Sequence, residues 1–435
     1  MKAEAKMNAK TLTDVRPHAR AAIHCGFLFN HDQLHQIAHS APIAFELMRL
    51  SPSVRVSLLA TTLPQFDYLR RALASRGLPG DGLQLIRLPA WMRGIAAALD
   101  TLVPFSRVAT LLGHRQRFRA LDVLVAPEKT SLLLRSIGGL ESLKFVHTRH
   151  GAGDRAIGFD RRSGEFDLVL MSGEKIRDRL QAAGLIDAGG YAIVGYPKFD
   201  ACNVPGGARP RLFANDRPTV LYNPHCSPRL SSWFEDGLDV LEAFYRSGKY
   251  NLIFAPHVML FRKRVQISLK PWRVAWTGSV PERYLACPHI LVDLGSERST
   301  DMTYTEAADL YLGDVSSQTY EFLRRPRPCV FIDSHSTDWR GDGNFRHWTC
   351  GPVLNGTDKL IPAIDEAFAS HADYAAAQRS LFAYSIDLRE TPSSRRGAEA
   401  ILAFVRRTFP QRALAFDGGA PEPFGRLAAE VPALR

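Results

Sequence analysis

Residues 143–154 read LKFVHTRHGAGD. The first part, Leu143 to Thr148, predicts a short buried strand. It breaks directly into Arg149, His150, Gly151, Ala152, Gly153 and Asp154. An open parallel sheet presents ligand-binding groups in this way, at polar turns beyond the C-terminal ends of buried strands.

The same rhythm extends in both directions. Upstream, apolar runs predict strands at 21–30, 54–60, 84–88 and 121–126, with helical spacing over 31–50 and 65–75. Downstream, a strand at 166–171 precedes a helix over 173–183. A Pro-, Gly- and Arg-rich stretch, Asn203 to Pro218, then interrupts the pattern. Strands resume at 219–223, 251–255, 290–292, 310–313 and 329–332. Helices are predicted at 232–247, 303–308, 317–324, 359–370, 374–384 and 394–408. Alternating strands and helices imply crossover units and parallel sheets. The expected fold class is α/β, with two doubly wound Rossmann-type domains facing a cleft. The expected division is a flexible arm over 1–19, a first domain over 20–202, a linker over 203–218, a second domain over 219–390, and a helix with a loose tail over 391–435.

The 435 residues, 46% hydrophobic and 23% charged, suffice for two cores and exclude a disordered, collagen-like or coiled-coil chain. The formal charge of +11 suits anionic partners, whether phosphate-bearing substrates, anionic lipid or nucleic acid. No Walker A loop, GxSxG elbow or RNA-recognition motif occurs. The six widely spaced cysteines suit reduced thiols rather than a disulfide framework or a zinc ribbon. The first twenty residues carry no apolar core of a secretory signal. No apolar run approaches the ~18–20 residues that cross a bilayer. A cytoplasmic protein with at most peripheral membrane contact is expected.

Five strand-end constellations carry candidate chemistry. His150, followed by Gly151 and Gly153, offers a proton carrier beside a loop that permits close backbone approach. Val194-Gly195-Tyr196-Pro197-Lys198 leaves a strand at the domain junction, and Lys198 offers a cation to phosphate. Tyr222-Asn223-Pro224-His225 and Ala255-Pro256-His257 each place a histidine just past a strand, where a protonated ring would offset phosphate charge. Leu310-Tyr311-Leu312-Gly313-Asp314-Val315-Ser316-Ser317 enters a helix carrying Tyr320 and Glu321. A helix N-terminus and two hydroxyls there suit phosphate, and the same residues also suit ordinary capping.

Weaker signals include His31, His35 and His39 at helical spacing, which lack a completing carboxylate for a metal site. Trp91 to Arg119 mixes apolar residues with arginines, as a core helix with a basic face or as a membrane-surface segment. Phe261-Arg262-Lys263-Arg264 is a short basic run suited to the surface.

Taken in order, HG after a strand, GYP-K-x-D, the LYNP strand, the APH strand and D-V-S-S-x-x-Y-E-F-L followed by R-P resemble the CDP-glycerol glycerophosphotransferases. This family comprises teichoic-acid primases and polymerases with a GT-B fold. The resemblance spans roughly 140–390. It implies that His150 is a general base, that His257 stabilises the transferring phosphate, and that Ser316, Ser317 and Asp314 belong to the pyrophosphate turn. Gly151, Lys198, His225 and Glu321 join the expected substrate-binding set. Lys198 stands where the family has arginine, Val315 where it has tyrosine, and the NPH and APH turns differ from the family's APT and HP.

The expected activity is transfer of glycerol phosphate from CDP-glycerol, or a similar nucleotide diphosphate donor, to an envelope glycan or lipid-linked acceptor, with no metal, cofactor or nucleic acid. Two alternatives keep parts of this frame. One is a nucleotide-sugar glycosyltransferase or an enzyme like the UDP-N-acetylglucosamine 2-epimerases. The other is a non-catalytic nucleotide-binding envelope assembly factor.

Overall fold

The computed structural model describes residues 23–31, 34–100, 105–149, 151–155, 159–202, 209–269 and 272–412. The first half contributes β1 (Ile23–Phe29), β2 (Val54–Ala60), β3 (Leu83–Leu85), β4 (Val123–Ala126), β5 (Lys144–Thr148), β6 (Leu168–Met171) and β7 (Tyr191–Ile193). They form one parallel sheet in the order β3-β2-β1-β4-β5-β6-β7. The second half contributes β8 (Thr219–Asn223), β9 (Asn251–Phe254), β10 (Val265–Leu269), β11 (Trp272–Trp276), β12 (Ile290–Val292), β13 (Leu310–Gly313), β14 (Cys329–Ile332) and β15 (Val353–Leu354). Six of these make a second parallel sheet, β12-β9-β8-β13-β14-β15, while β10 and β11 form a separate antiparallel ribbon.

Both sheets are covered on both faces, which is why central strands such as Val123–Ala126, Leu168–Met171 and Cys329–Ile332 are apolar along their length rather than alternating. Along β1, Cys25, Phe27 and Phe29 pack with the helix Ala41–Leu50, while Leu28 faces Leu124, Phe118 and Met171 on the other side. In the second sheet, Tyr222, Phe254, Leu312 and Ile332 pack on Val240, Leu241 and Phe244 of the helix Trp233–Ser247. Leu221, Ile253, Tyr311 and Phe331 face the opposite layer.

Local signals set the helix ends. Thr62 and Gln65 form a reciprocal capping box at the start of Leu63–Ala74. The helix expected over 31–50 is instead a 3-10 segment, Leu34–His39, followed by the α-helix Ala41–Leu50. Pro42 explains the break, since it starts a helix well but cannot continue one. His31 and His39 therefore do not share one helical face.

The C-terminal helix Ser393–Thr408 returns to the first sheet. Its Ala398, Ile401, Phe404 and Val405 pack in the same cluster as Ile43, Phe45 and Leu47. A side chain on Gly397 would come within 2.9 Å of Ile43, so glycine permits this close crossing.

In each sheet the strand order reverses once, between β1 and β4 and between β8 and β13. Loops beyond the strands at such a point diverge and leave a crevice. In the second sheet these are the loops after Asn223 and after Gly313.

Candidate functional site

The loops after β8 and β9 lie side by side. The backbone N–H of His257 donates to the carbonyl of Pro224 at 2.9 Å, and the two imidazoles stand 5.2 Å apart. The repeated strand-Pro-His pattern thus produces a histidine pair. His225 Nδ1 faces the Ser227 N–H at 2.9 Å, and His257 Nδ1 accepts from the Met259 N–H at 3.2 Å. Accepting at Nδ1 leaves the His257 ring proton on Nε2. Burial, reinforced by the Arg155 charge, pushes His225 well below the ordinary histidine range and His257 down to about 4. Both rings are neutral at pH 7, contrary to the expectation of a protonated imidazole.

Arg155 Nη1 lies 2.7 Å from His225 Nε2. A neutral ring has one lone pair, yet two N–H donors, from Ser227 and Arg155, approach it. The excess of donors is local and electropositive. An anion is the natural complement to such a group.

The turn after β13 is arranged differently from the sequence expectation. The carboxylate of Asp314 accepts the His225 N–H at 2.9 Å, the Ser232 N–H at 2.6 Å and the Ser232 hydroxyl at 2.9 Å. Burial pushes its pKa up to about 6, against the opposing pull of these donors. Asp314 therefore staples the β8 and β13 loops together rather than facing a diphosphate. The helix Gln318–Phe322 has only five residues and brings little macrodipole to its start. Ser316 and Ser317 do line the cleft, together with Arg149, Arg155, His225 and His257, around a cavity of 580 Å³.

The glycine loop after β5 meets this turn. Gly151 has φ +79°, a conformation that favours glycine, and a side chain there would lie 3.3 Å from Ser317 Oγ. A side chain on Gly153 would lie 3.2 Å from Ser317 Cβ. The two halves of the chain thus approach each other at Gly151, Gly153 and Ser317. His150 lies outside the described residues.

Lys198 and Glu321 also depart from expectation. Both are buried, with Lys198 Nζ 2.7 and 2.8 Å from the Glu321 oxygens, and Tyr196 donates to Glu321 at 2.9 Å. The cation is spent on an ion pair between the halves. In sequence both residues read as polar groups available to ligand, because their 123-residue separation hides the pairing.

Sequence reasoning missed Asp154, Lys175, Tyr320 and His347 as a group. Lys175 Nζ donates to Asp154 at 2.6 Å and to the Ala152 carbonyl at 2.6 Å, and it lies 3.6 Å over the Tyr320 ring. Tyr320 donates to Asp154 at 2.6 Å, and His347 Nδ1 lies 2.9 Å from the same carboxylate. Burial would raise the Asp154 pKa, but the His347 hydrogen bond and the Lys175 charge hold it well below the carboxylate range. Burial brings Lys175 down to about 8 despite Asp154. The one clue in sequence was Asp154 itself, which closes the HGAGD turn.

His225, Cys226 and His257 hold their potential ligand atoms within 4.8 Å of one another. The group fits a metal poorly, because Arg155 sits against His225 and burial pushes the Cys226 thiol up to about 11, away from the thiolate.

No protein-family model matches the chain, and no curated protein matches it in sequence. Solved structures do match in fold. A Listeria monocytogenes protein assigned as a UDP-N-acetylglucosamine 2-epimerase aligns with TM-score 0.57 at 15% identity, over 90% of this chain and 97% of its own. A variant of the wall teichoic acid polymerase TagF soaked with CDPG aligns with TM-score 0.56 at 12% identity, over 88% and 89%. S. aureus MnaA with UDP aligns with TM-score 0.55 at 12% identity, over 93% and 100%. At these identities the likeness concerns architecture: two parallel Rossmann-like sheets about a cleft, the GT-B arrangement.

Proposed function

We propose that this chain is a GT-B transferase that uses a nucleotide diphosphate donor, with CDP-glycerol as the first candidate. The second domain would hold the donor and the first the acceptor, an envelope glycan or lipid-linked sugar reached at the cytoplasmic membrane face. The observation that carries this reading is the donor-rich rim formed by Arg155, His225 and His257, beside Ser316 and Ser317. The Arg155 guanidinium and the Ser227 N–H both approach the His225 ring, and the Ser316 and Ser317 hydroxyls line the same cavity, an arrangement that suits phosphate oxygens.

In the proposed reaction, an acceptor hydroxyl oxygen bonds to the β-phosphorus while the bond from that phosphorus to the CMP oxygen breaks. His150 takes the hydroxyl proton, and CMP leaves with the electron pair of the broken bond. Phosphoryl transfer of this kind needs alignment and charge neutralisation more than covalent help. Arg155 and the His257 Nε2–H would supply the neutralisation without a metal, and an approaching phosphate would raise the His257 pKa. The TagF structure soaked with CDPG supports the choice of donor.

The epimerase neighbours support a second reading, in which a UDP-sugar occupies the same cleft. Purified protein given CDP-glycerol and envelope acceptors should release CMP, and Arg155→Ala should weaken CDP binding by about 10–100-fold, the usual range for a lost charge-assisted hydrogen bond. Turnover of UDP-N-acetylglucosamine without CMP release from CDP-glycerol would favour the second reading. Binding of either nucleotide without turnover, unaltered in His150→Ala, would point to an assembly factor.

A further inference from the structure

The β10–β11 ribbon is folded with its apolar face outward. Its register pairs Val265 with Trp276 and Ile267 with Val274. Trp272 is 67% exposed, Trp276 73%, Ile267 53% and Val274 46%. Alternation along the strands puts these side chains on one face. The polar face is the one turned to the protein. Ser268 bonds to Ser227 at 2.8 Å, Gln266 donates to the carbonyls of Met259 and Leu260, and Arg273 reaches His335 at 3.1 Å. Water would favour the opposite arrangement, so the exposed face calls for an occupant.

We propose that this ribbon is a membrane-docking element that seats on an anionic lipid surface. Three features select that occupant. Two tryptophans flanked by aliphatic side chains match the boundary between headgroups and acyl chains, where indole rings partition. Arg262, Lys263 and Arg264, all exposed, immediately precede β10 and complement anionic headgroups. Among the described residues of this face, Ile267 and Val274 separate the tryptophans and offer a glycan no hydrogen bond. A two-fold contact between copies would bring two such basic runs together, which disfavours a second copy.

The placement gives the docking a consequence. The ribbon follows His257 by eight residues, and its underside holds the Met259–Leu260 carbonyls and Ser227, the segments that position His257 and His225. A membrane bound here lies beside the cleft mouth. The inference does not depend on which donor the cleft accepts, because its test involves no turnover.

The full chain should co-sediment with phosphatidylcholine vesicles containing 25% phosphatidylglycerol, and its tryptophan emission should shift to the blue. The double variant Trp272→Ser/Trp276→Ser should lose at least tenfold in partitioning at an unchanged melting temperature. Arg262→Gln, Lys263→Gln and Arg264→Gln should each cost about fivefold on those vesicles and none on pure phosphatidylcholine. Unchanged partitioning of the tryptophan variant, or absence of binding by the wild type, overturns the proposal. So does a dimer that the tryptophan variant converts to monomer, or a soluble glycan that shields the two tryptophans from quencher.

Discussion

Tyr320 donates a 2.6 Å hydrogen bond to Asp154 across the boundary between the two halves, and Lys175 stacks on the Tyr320 ring while binding the same carboxylate. The carboxylate is thus the shared anchor of the glycine loop after β5 and the segment after β13. Asp154→Asn should leave the buried Lys175 uncompensated and cost about 3–5 kcal/mol, read from urea midpoints. The same carboxylate gives a pH signature. Its folded pKa lies below its unfolded value of about 3.9, so its contribution is complete above that value and is lost as pH falls below it. An Asp154→Asn protein as stable as wild type would remove the anchor from consideration.

His257 titrates at higher pH. Its pKa falls from 6.5 to about 4 on folding, through burial and then Arg155. The unfolded chain therefore binds the extra proton first, and stability declines from about pH 6.5 down to about 4, by up to about 1.4 kcal/mol per pH unit. His257→Gln should make the decline over that interval shallower without abolishing it, because burial also lowers the His225 pKa. Imidazole NMR titration gives the direct check, since a free-protein pKa at or above 6.5 contradicts the neutral ring.

The Lys198–Glu321 pair should behave as a joint rather than as a ligand site. Lys198→Met or Glu321→Gln alone should cost about 3–5 kcal/mol, because each strands a buried partner. The double variant should recover much of that loss, giving a clear coupling energy in a double-mutant cycle. If Lys198→Met keeps full stability and instead weakens nucleotide binding tenfold, the cation faces the donor.

Gly173 tests the return of the chain to the first domain. Its backbone is extended, with φ −170°, so alanine suffers no dihedral strain. A methyl there would nevertheless stand 2.5 Å from the backbone carbon of Ser385, where Ser172 also binds the Ser385 carbonyl at 2.8 Å. Gly173→Ala should cost about 1–3 kcal/mol by overpacking. A change under about 0.5 kcal/mol in a denaturant melt would mean the two segments are not in close contact.

The parts of the architecture that local chemistry controls were legible in the chain. The cores of runs such as Val220–Tyr222 and Cys329–Ile332 are continuously apolar, which suits sheets covered on both faces. The strand-Pro-His repeats likewise announced a histidine beyond each of two strands, while the pairing of the two rings came from the fold. The β10–β11 ribbon was not expected from the sequence, and alternation within it shows that two faces differ but not which one turns outward. Its outward apolar face was decided by anchors on Ser227 and Met259.

By itself the sequence determined the two sheets and the polar turns at their strand ends, since both follow from hydrophobic patterning over a few residues. Only the tertiary structure decided what those polar residues do. Asp154 meets Tyr320 from 166 positions away and His347 from 193, and Lys198 finds Glu321 from 123. A charge that reads as free for substrate becomes an internal staple once folding brings its counterpart within hydrogen-bonding reach and removes the water between them.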